Sequence, residues 1–500
     1  MSSWLDCREL SFIYGSTCSW YCRQPRPLKA TCRSFGCFET FIRRHKLAKS
    51  SCFLRMEEQS GVPEDSELPA FLDAEQAKRY GYVTPSDPED DLEIRLNAQY
   101  KDREESLPLH YSPLGGVRRP ARHPFGKAAR YSSYDEVREE VLRMEPYIPI
   151  YPTEVIAEKI GKRVEDIVKL DANENPYGPA PSVFKALSNA SYLHLYPDPE
   201  SRFLRKKIAE YVGVPEEQII AGAGADDLID MIFRLFICPG VGDSIVIFPP
   251  TFGMYKFDAD LYEAHVFYAW REDSAIHRLP VDRVKGLFEP ETLGPFPKIA
   301  FVASPNNPDG SVVSDDDLKE LLDLPMTVVL DEAYFEFSGK THVDWLKDYD
   351  NLIILRTFSK WAGLAGLRLG YGIFPESVVN QVWKIKQPYN VNVAAQLAGI
   401  ATLEEKEWLL QRVEKIKSER ERFYQRISLY ESWLSPYPSE ANFVLCQVKG
   451  GRNARDIYNK LMKRGILIRY YDTKALSNCI RISIGTPQQM DTLYDALDSL

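Results

Sequence analysis

The 500-residue chain contains no apolar run near the ~20 residues a membrane-spanning helix needs, so no span is expected. It has no Gly-Lys-Ser or Gly-Lys-Thr phosphate loop to accompany the adjacent acids Asp331 and Glu332, which argues against a magnesium–nucleotide site there. It has no excess of positive charge: 62 Lys and Arg stand against 72 Asp and Glu, a formal net charge of −10. That balance gives no reason to expect nucleic acid or an anionic membrane surface as a partner. Cysteine is sparse in the body of the chain, since six of nine (Cys7, Cys18, Cys22, Cys32, Cys37 and Cys52) precede Met56. Cys18 and Cys22 have no downstream Cys/His pair at ligand spacing, so no metal site is expected. Cys238, Cys446 and Cys479 lie singly in apolar surroundings and read as buried free thiols.

The ends of the chain differ in composition. Residues 1–56 are basic and rich in Ser and Cys, the composition of a cleaved organelle transit segment. The expected destination is the plastid, with the mitochondrion second; a basic disordered tail is the alternative. Residues 57–140 are acidic and then basic, without a sustained period, and read as a disordered linker. Within SYDEVREEVLRM a short helix is expected, with Val137, Val141, Leu142 and Met144 near one face. Thr153 is the expected N-cap of the helix that follows.

From about Pro146 the pattern is that of an ordered body. Short apolar runs alternate with helical periods: EQIIAG, then a helix using Leu228, Ile229, Ile232, Leu235 and Phe236; DSIVIFPPTF, read as a strand ending at Phe252; KIAFVA; MTVVLD; LIILRT; and LRLGYGIF. This alternation predicts an α/β fold with a mostly parallel sheet covered by helices. The large domain is expected over 176–385. A smaller α+β domain is expected over 386–500, with 146–175 packing alongside. In parallel sheets ligands gather beyond the carboxyl ends of the strands, where each polar cluster of this sequence falls.

The stretch RTFSKWAGLAGLRLGY carries the chemistry. An apolar strand delivers Lys360 to a turn of small residues, a setting in which a lysine amine can attack a carbonyl or pyridoxal phosphate. That cofactor needs a carboxylate for its ring nitrogen, and Asp331 closes a buried strand. Asn307 and Tyr334 can bond the ring hydroxyl, and Phe252 can stack on the ring. The Gly222–Asp226 turn opens a helix whose amides can meet a phosphate, with Thr357, Ser359 and Arg368 completing the cup.

The body resembles the fold-type-I pyridoxal phosphate aminotransferases, and within them the branch acting on histidinol phosphate. The motifs are LDANENPYGP, YPDPESR, GAGADDLID, PPTFGMY, SPNNPDGS, VVLDEAY, RTFSKWAGLAGLRLGYG, KQPYNV, SEANF and CIRISIG. The resemblance implies that Lys360 forms the Schiff base and shuttles a proton. It makes Asp331 the ring-nitrogen partner, Asn307 and Tyr334 the hydroxyl partners and Phe252 the stacking ring, where many relatives have tyrosine. Ala225, Asp226, Thr357, Ser359 and Arg368 would hold the cofactor phosphate. Tyr196 would reach the cofactor of a neighbouring subunit, implying a homodimer. Arg481 and Arg469 would bind substrate anions, with Tyr147 and Asn173 lining the pocket. The implied reaction exchanges an amino group between L-histidinol phosphate and 2-oxoglutarate, in histidine biosynthesis. Three alternatives remain open at this point: an aromatic or broad-range aminotransferase, a threonine-phosphate decarboxylase of the same fold, and a non-catalytic cofactor-binding regulator.

Overall fold

A computed structural model of the chain describes residues 137–500, apart from 145, 148, 272–277 and 290–293. The expected transit segment and all but the last few residues of the expected linker lie outside the described residues.

In chain order the helices are α1 (Glu139–Arg143), α2 (Thr153–Lys159), α3 (Pro181–Ser188), α4 (Arg202–Val212), α5 (Ala225–Phe236), α6 (Met254–Leu261), α7 (Val281–Lys285), α8 (Asp315–Leu322) and α9 (Phe335–Ser338). They continue with α10 (Glu376–Ile385), α11 (Val393–Glu404), α12 (Lys406–Ile427), α13 (Ala454–Lys463) and α14 (Pro487–Asp498). The strands are β1 (Val168–Leu170), β2 (Ile219–Gly222), β3 (Ser244–Ile247), β4 (His265–Tyr268), β5 (Pro297–Ala303) and β6 (Thr327–Asp331). They end with β7 (Leu352–Thr357), β8 (Gly370–Ile373), β9 (Leu434–Pro436), β10 (Phe443–Val448), β11 (Ile466–Tyr470) and β12 (Cys479–Ser483).

The larger sheet runs β2-β8-β7-β6-β5-β3-β4. Its β4–β3–β5–β6–β7 pairings are parallel, and β8 is antiparallel to both β2 and β7. Side chains of a strand alternate between faces, so a sheet buried on both sides needs apolar residues at every position. The middle positions of β3, β5, β6 and β7 follow that rule, with Lys298, Asp331 and Arg356 only toward the strand ends. Ile299 and Phe301 join the core beneath α5, α6 and α10, whereas Ala300 and Val302 join the core on the opposite face. α5 buries Leu228, Ile229 and Ile232 as expected, and also Met231 and Phe233; Leu235 and Phe236 are only partly covered. The smaller sheet runs β1-β11-β12-β10-β9, with β1 parallel to β11 and the other pairings antiparallel. Residues ahead of the large sheet therefore supply an edge strand to the C-terminal one.

Four local expectations are corrected. Thr153 is the first helical residue of α2; Pro152 occupies the cap position and no side chain caps the end. Cys238 is exposed, because α5 has ended and the chain turns there before β3; Cys446 and Cys479 are buried. β3 stops at Ile247, since Pro249 and Pro250 cannot donate ladder hydrogen bonds, so Phe252 sits in the loop before α6. α1 begins only at Glu139, so Val137 precedes the helix rather than sharing its face; Val141 and Leu142 are exposed.

Behind the carboxyl edge of β6 lies a buried ion pair. Arg356 donates from Nε and Nη2 to Glu332 Oε2 at 3.0 and 2.8 Å, and its Nη2 also reaches the Thr341 hydroxyl. Both side chains are almost completely excluded from solvent. Removing one member of such a pair leaves the other charged and unpaired. Glu332→Ala is expected to lower stability by about 3–5 kcal/mol, read as a lower urea midpoint with unchanged slope.

Candidate active site

One cavity of about 1700 Å³ opens along the carboxyl edge of the large sheet and reaches the β11–β12 side of the small one. All of the residues expected at the site line it, except Tyr196. Lys360 and Asp331 therefore face one shared space. Tyr196 is 82% exposed and stacks on Tyr389, with ring centroids 4.6 Å apart.

Asp331 ends β6. Its Oδ2 accepts from the Tyr255 hydroxyl at 2.6 Å and its Oδ1 from the Ala333 amide at 3.0 Å. Burial pushes the carboxyl up to about 6, and those two hydrogen bonds pull against that rise. Lys360 lies just beyond β7. Its Nζ donates to the Ala172 carbonyl at 3.1 Å and lies 5.7 Å from the centre of the Tyr334 ring. Burial, helped by the Arg481 charge, lowers the ammonium to about 8, so a reactive neutral fraction exists in neutral to mildly alkaline solution.

A cationic cup forms at the N-terminus of α5. Gly224 caps that helix at φ 90°, and a Cβ there would come within 2.7 Å of Arg368 Nη2. Arg368 Nη2 bonds Asp226 Oδ2 at 2.7 Å. The Asp226 carboxylate thus aims the arginine, while the first amides of α5 have no intrahelical acceptor and are free for an anion. The Thr357 hydroxyl donates to Ser359 Oγ at 3.0 Å and accepts from the Ser359 amide. At the far end Arg481 donates to Asn307 Oδ1 at 2.5 Å and to the Asp171 carbonyl at 2.7 Å. Its Nε is buried without a partner. Asn173, at φ 55°, donates to the Tyr334 hydroxyl at 3.1 Å and exchanges hydrogen bonds with Ser483.

A cavity with a cation cup at one end, a buried carboxylate and amine within, and an aromatic ring on its wall fits pyridoxal phosphate. The glycine at position 224 keeps the cup open. Among the described residues no group of His, Cys, Asp and Glu is arranged to hold a metal ion.

Two residues escaped the sequence reading. Tyr255 is the second residue of α6, and no spacing to the acid it meets marks it in the sequence. Tyr471 follows Tyr470 at the end of β11, lines the cavity, and has Arg469 and Arg481 at 5.6 and 5.8 Å from its ring centre. Its signal was the paired tyrosine after the arginine in GILIRYY.

An ionised, poorly solvated Asp331 opposes folding. Its proton-linked stability is present below about pH 4 and is lost as pH rises through about 6. Asp331→Asn is therefore expected to raise the melting temperature of the cofactor-free chain at pH 8, by up to about 3 kcal/mol in stability. The gain should shrink toward pH 4; thermal scans at both pH values check it.

Residues 165–497 match the family model for aminotransferase class I and II. Histidinol-phosphate aminotransferase, chloroplastic, of Nicotiana tabacum is 47% identical over 362 residues, 72% of this chain and 86% of that protein. Histidinol-phosphate aminotransferase of Dehalococcoides mccartyi (strain 195) is 46% identical over 344 residues, 69% of this chain and 93% of that one. Among solved structures, histidinol-phosphate aminotransferase of Sinorhizobium meliloti in complex with pyridoxal-5′-phosphate superposes with a TM-score of 0.63 at 27% identity. That similarity covers 74% of this chain and 97% of that one.

Proposed function

The chain belongs to the aminotransferase class I and II family, and from that premise we propose that it exchanges the amino group between L-histidinol phosphate and 2-oxoglutarate. The products are imidazole acetol phosphate and glutamate, a step of histidine biosynthesis. The observation that carries this reading is the meeting of Lys360, Asp331 and Arg481 in one cavity of a chain 47% identical to a histidinol-phosphate aminotransferase.

The cofactor is pyridoxal phosphate. When bound, it supplies an aldehyde that condenses with amines and a ring that accepts the electron pair left when Cα loses its proton. Ala225, Asp226, Thr357, Ser359 and Arg368 would hold its phosphate. Asp331 would pair with the protonated ring nitrogen, and Asn307 and Tyr334 would bond the ring hydroxyl. Phe252 would cover one face. Because Asn173 donates to the Tyr334 oxygen, the phenol proton of Tyr334 is free to be given to the ring hydroxyl.

Lys360 Nζ is the base that removes the Cα proton of the amine donor. Its lowered pKa keeps part of the amine neutral near the working pH. Arg481 is buried and planar, and its partners in the cavity are two neutral oxygens. A substrate phosphate or carboxylate competes well for such a fork. Arg469 would assist with the substrate phosphate, and Tyr147 and Asn173 would border the bound amine donor.

The surface around Tyr196 supports a homodimer. Tyr192, Leu193, Leu195, Tyr196 and Phe203 all stand exposed there, an unusual concentration of apolar side chains for a surface. A second copy would cover them and bring Tyr196 to the partner cavity. The basic first 56 residues and the chloroplastic relatives support import into a plastid.

Purified protein given L-histidinol phosphate and 2-oxoglutarate is expected to form glutamate; carbon dioxide release without glutamate would overturn the reading. Lys360→Ala should lose the borohydride-reducible cofactor link and at least ~10³-fold in turnover. Undiminished labelling of that variant would remove Lys360 from its role. Arg481→Ala should slow turnover of both substrates by ~10²-fold, measured separately as glutamate formed and as glutamate consumed. An effect on one alone would refute shared anion recognition.

A further inference from the structure

Tyr255, on α6, is completely buried. Its hydroxyl donates to Asp331 Oδ2 at 2.6 Å. Its ring stacks on Phe301, with centroids 4.8 Å apart and planes 14° off parallel. The same ring meets Phe252 edge to face at 5.7 Å. One side chain therefore touches both the carboxylate and the aromatic wall of the cavity. The Phe301 stack and the α6 backbone fix where its oxygen lies.

We propose that Tyr255 is a positioning residue for the transamination: its phenol O–H holds the Asp331 carboxylate ionised and turned toward the cavity, and its ring braces Phe252. The inference rests on the aminotransferase reading above. Asp331 has two donors, the Ala333 amide and Tyr255. The amide belongs to the backbone of the next turn and is present whatever the side chains. Tyr255 is the adjustable one. The other charges that bear on Asp331 are unhelpful: Asp226, from α5, and Glu332, beside it, are carboxylates that oppose its ionisation. Arg271 and Tyr334 bear on Tyr255 itself, and Lys360 shares the cavity. A carboxyl already displaced toward neutrality by burial has little margin. Without the phenol donor a larger fraction is protonated at neutral pH, and a neutral acid cannot balance a cationic ring nitrogen.

A phenol suits this task. It donates one hydrogen bond, and burial beside Asp331 keeps it from ionising at any working pH. The carboxylate keeps further acceptor capacity on each oxygen for the ring nitrogen.

The test is equilibrium binding of pyridoxal phosphate to the cofactor-free full-length chain, followed by quenching of tryptophan fluorescence from pH 5.5 to 8. Wild type, Tyr255→Phe, Asp331→Asn and the double variant are compared, each with its melting temperature. Tyr255→Phe is expected to weaken binding about tenfold at pH 7.5, the lower end of the range for a hydrogen bond to a charged group. The acid-side loss of affinity should also begin about one pH unit higher than in wild type. In the Asp331→Asn background the same change should cost less than about twofold, because the charge it serves is gone. An unshifted pH profile, or an equal loss in both backgrounds, makes Tyr255 a packing residue and overturns the inference. A wild-type chain that takes up no cofactor overturns the aminotransferase reading as well, which separates the two failures.

Discussion

A carboxylate at the end of a largely buried strand is costly to keep charged, and at Asp331 two donors lower that cost. Asp331 is the last residue of β6 and Glu332 the next, so their side chains leave the strand in different directions. Asp331 lines the cavity and is met by Tyr255 and an amide. Glu332 turns away from it and is neutralised by Arg356. Two adjacent acids at a sheet edge would repel one another and drag both toward neutrality. Separate partners, one a neutral phenol and one a guanidinium, hold the two carboxyls apart, one facing the cavity and the other tying the sheet edge to Arg356.

The two sheets are joined beside the cavity through a short segment of backbone. The carbonyls of Asp171, Ala172 and Asn173 accept in turn from Arg481, Lys360 and the Asn442 amide. Lys360 stands at the edge of the large sheet, while Arg481 and Asn442 belong to the small one and its approach. Lys360 and Arg481 are thus satisfied by neutral oxygens, whereas Arg368 meets the Asp226 carboxylate. At the first two, an incoming carbonyl or anion competes with weak acceptors rather than with carboxylates, which favours its capture. The same donors join the segment after β1 to both halves of the fold, so the chemistry and the docking of the two sheets share hydrogen bonds.

The order of the sheet explains why residues far apart in sequence converge. The parallel strands β3, β5, β6 and β7 deliver their ends to one edge, together with the turn after β2. Arg368 reaches the same edge because β8 runs antiparallel, so its start lies beside the end of β7. The sequence signals for this were strong: apolar runs of strand length, each followed at once by a polar or small-residue turn. Lys360, Asp331, Asn307 and the helix-opening glycine could be read from those turns alone. Where the reading slipped, side-chain type had to yield to backbone constraint. Phe252 was placed on a strand that two prolines had already stopped. Cys238 was taken as core from its apolar neighbours, although the helix carrying them ends two residues sooner.

The order of apolar and polar residues along the chain was enough to determine the layered α/β body, the strand ends that line the cavity, and the lysine proposed to hold the cofactor, because each depends on a local period or an adjacent turn. The tertiary structure alone decided the partners across the site. Neither the phenol of Tyr255 on Asp331 nor the grip of Arg481 on Asn307 leaves a mark in sequence spacing, since each joins elements separated by 76 or 174 positions. The degree of burial that lifts one carboxyl and lowers one amine was also decided there. Those are properties of what surrounds a side chain once the strands are side by side, and no stretch of the chain contains them by itself.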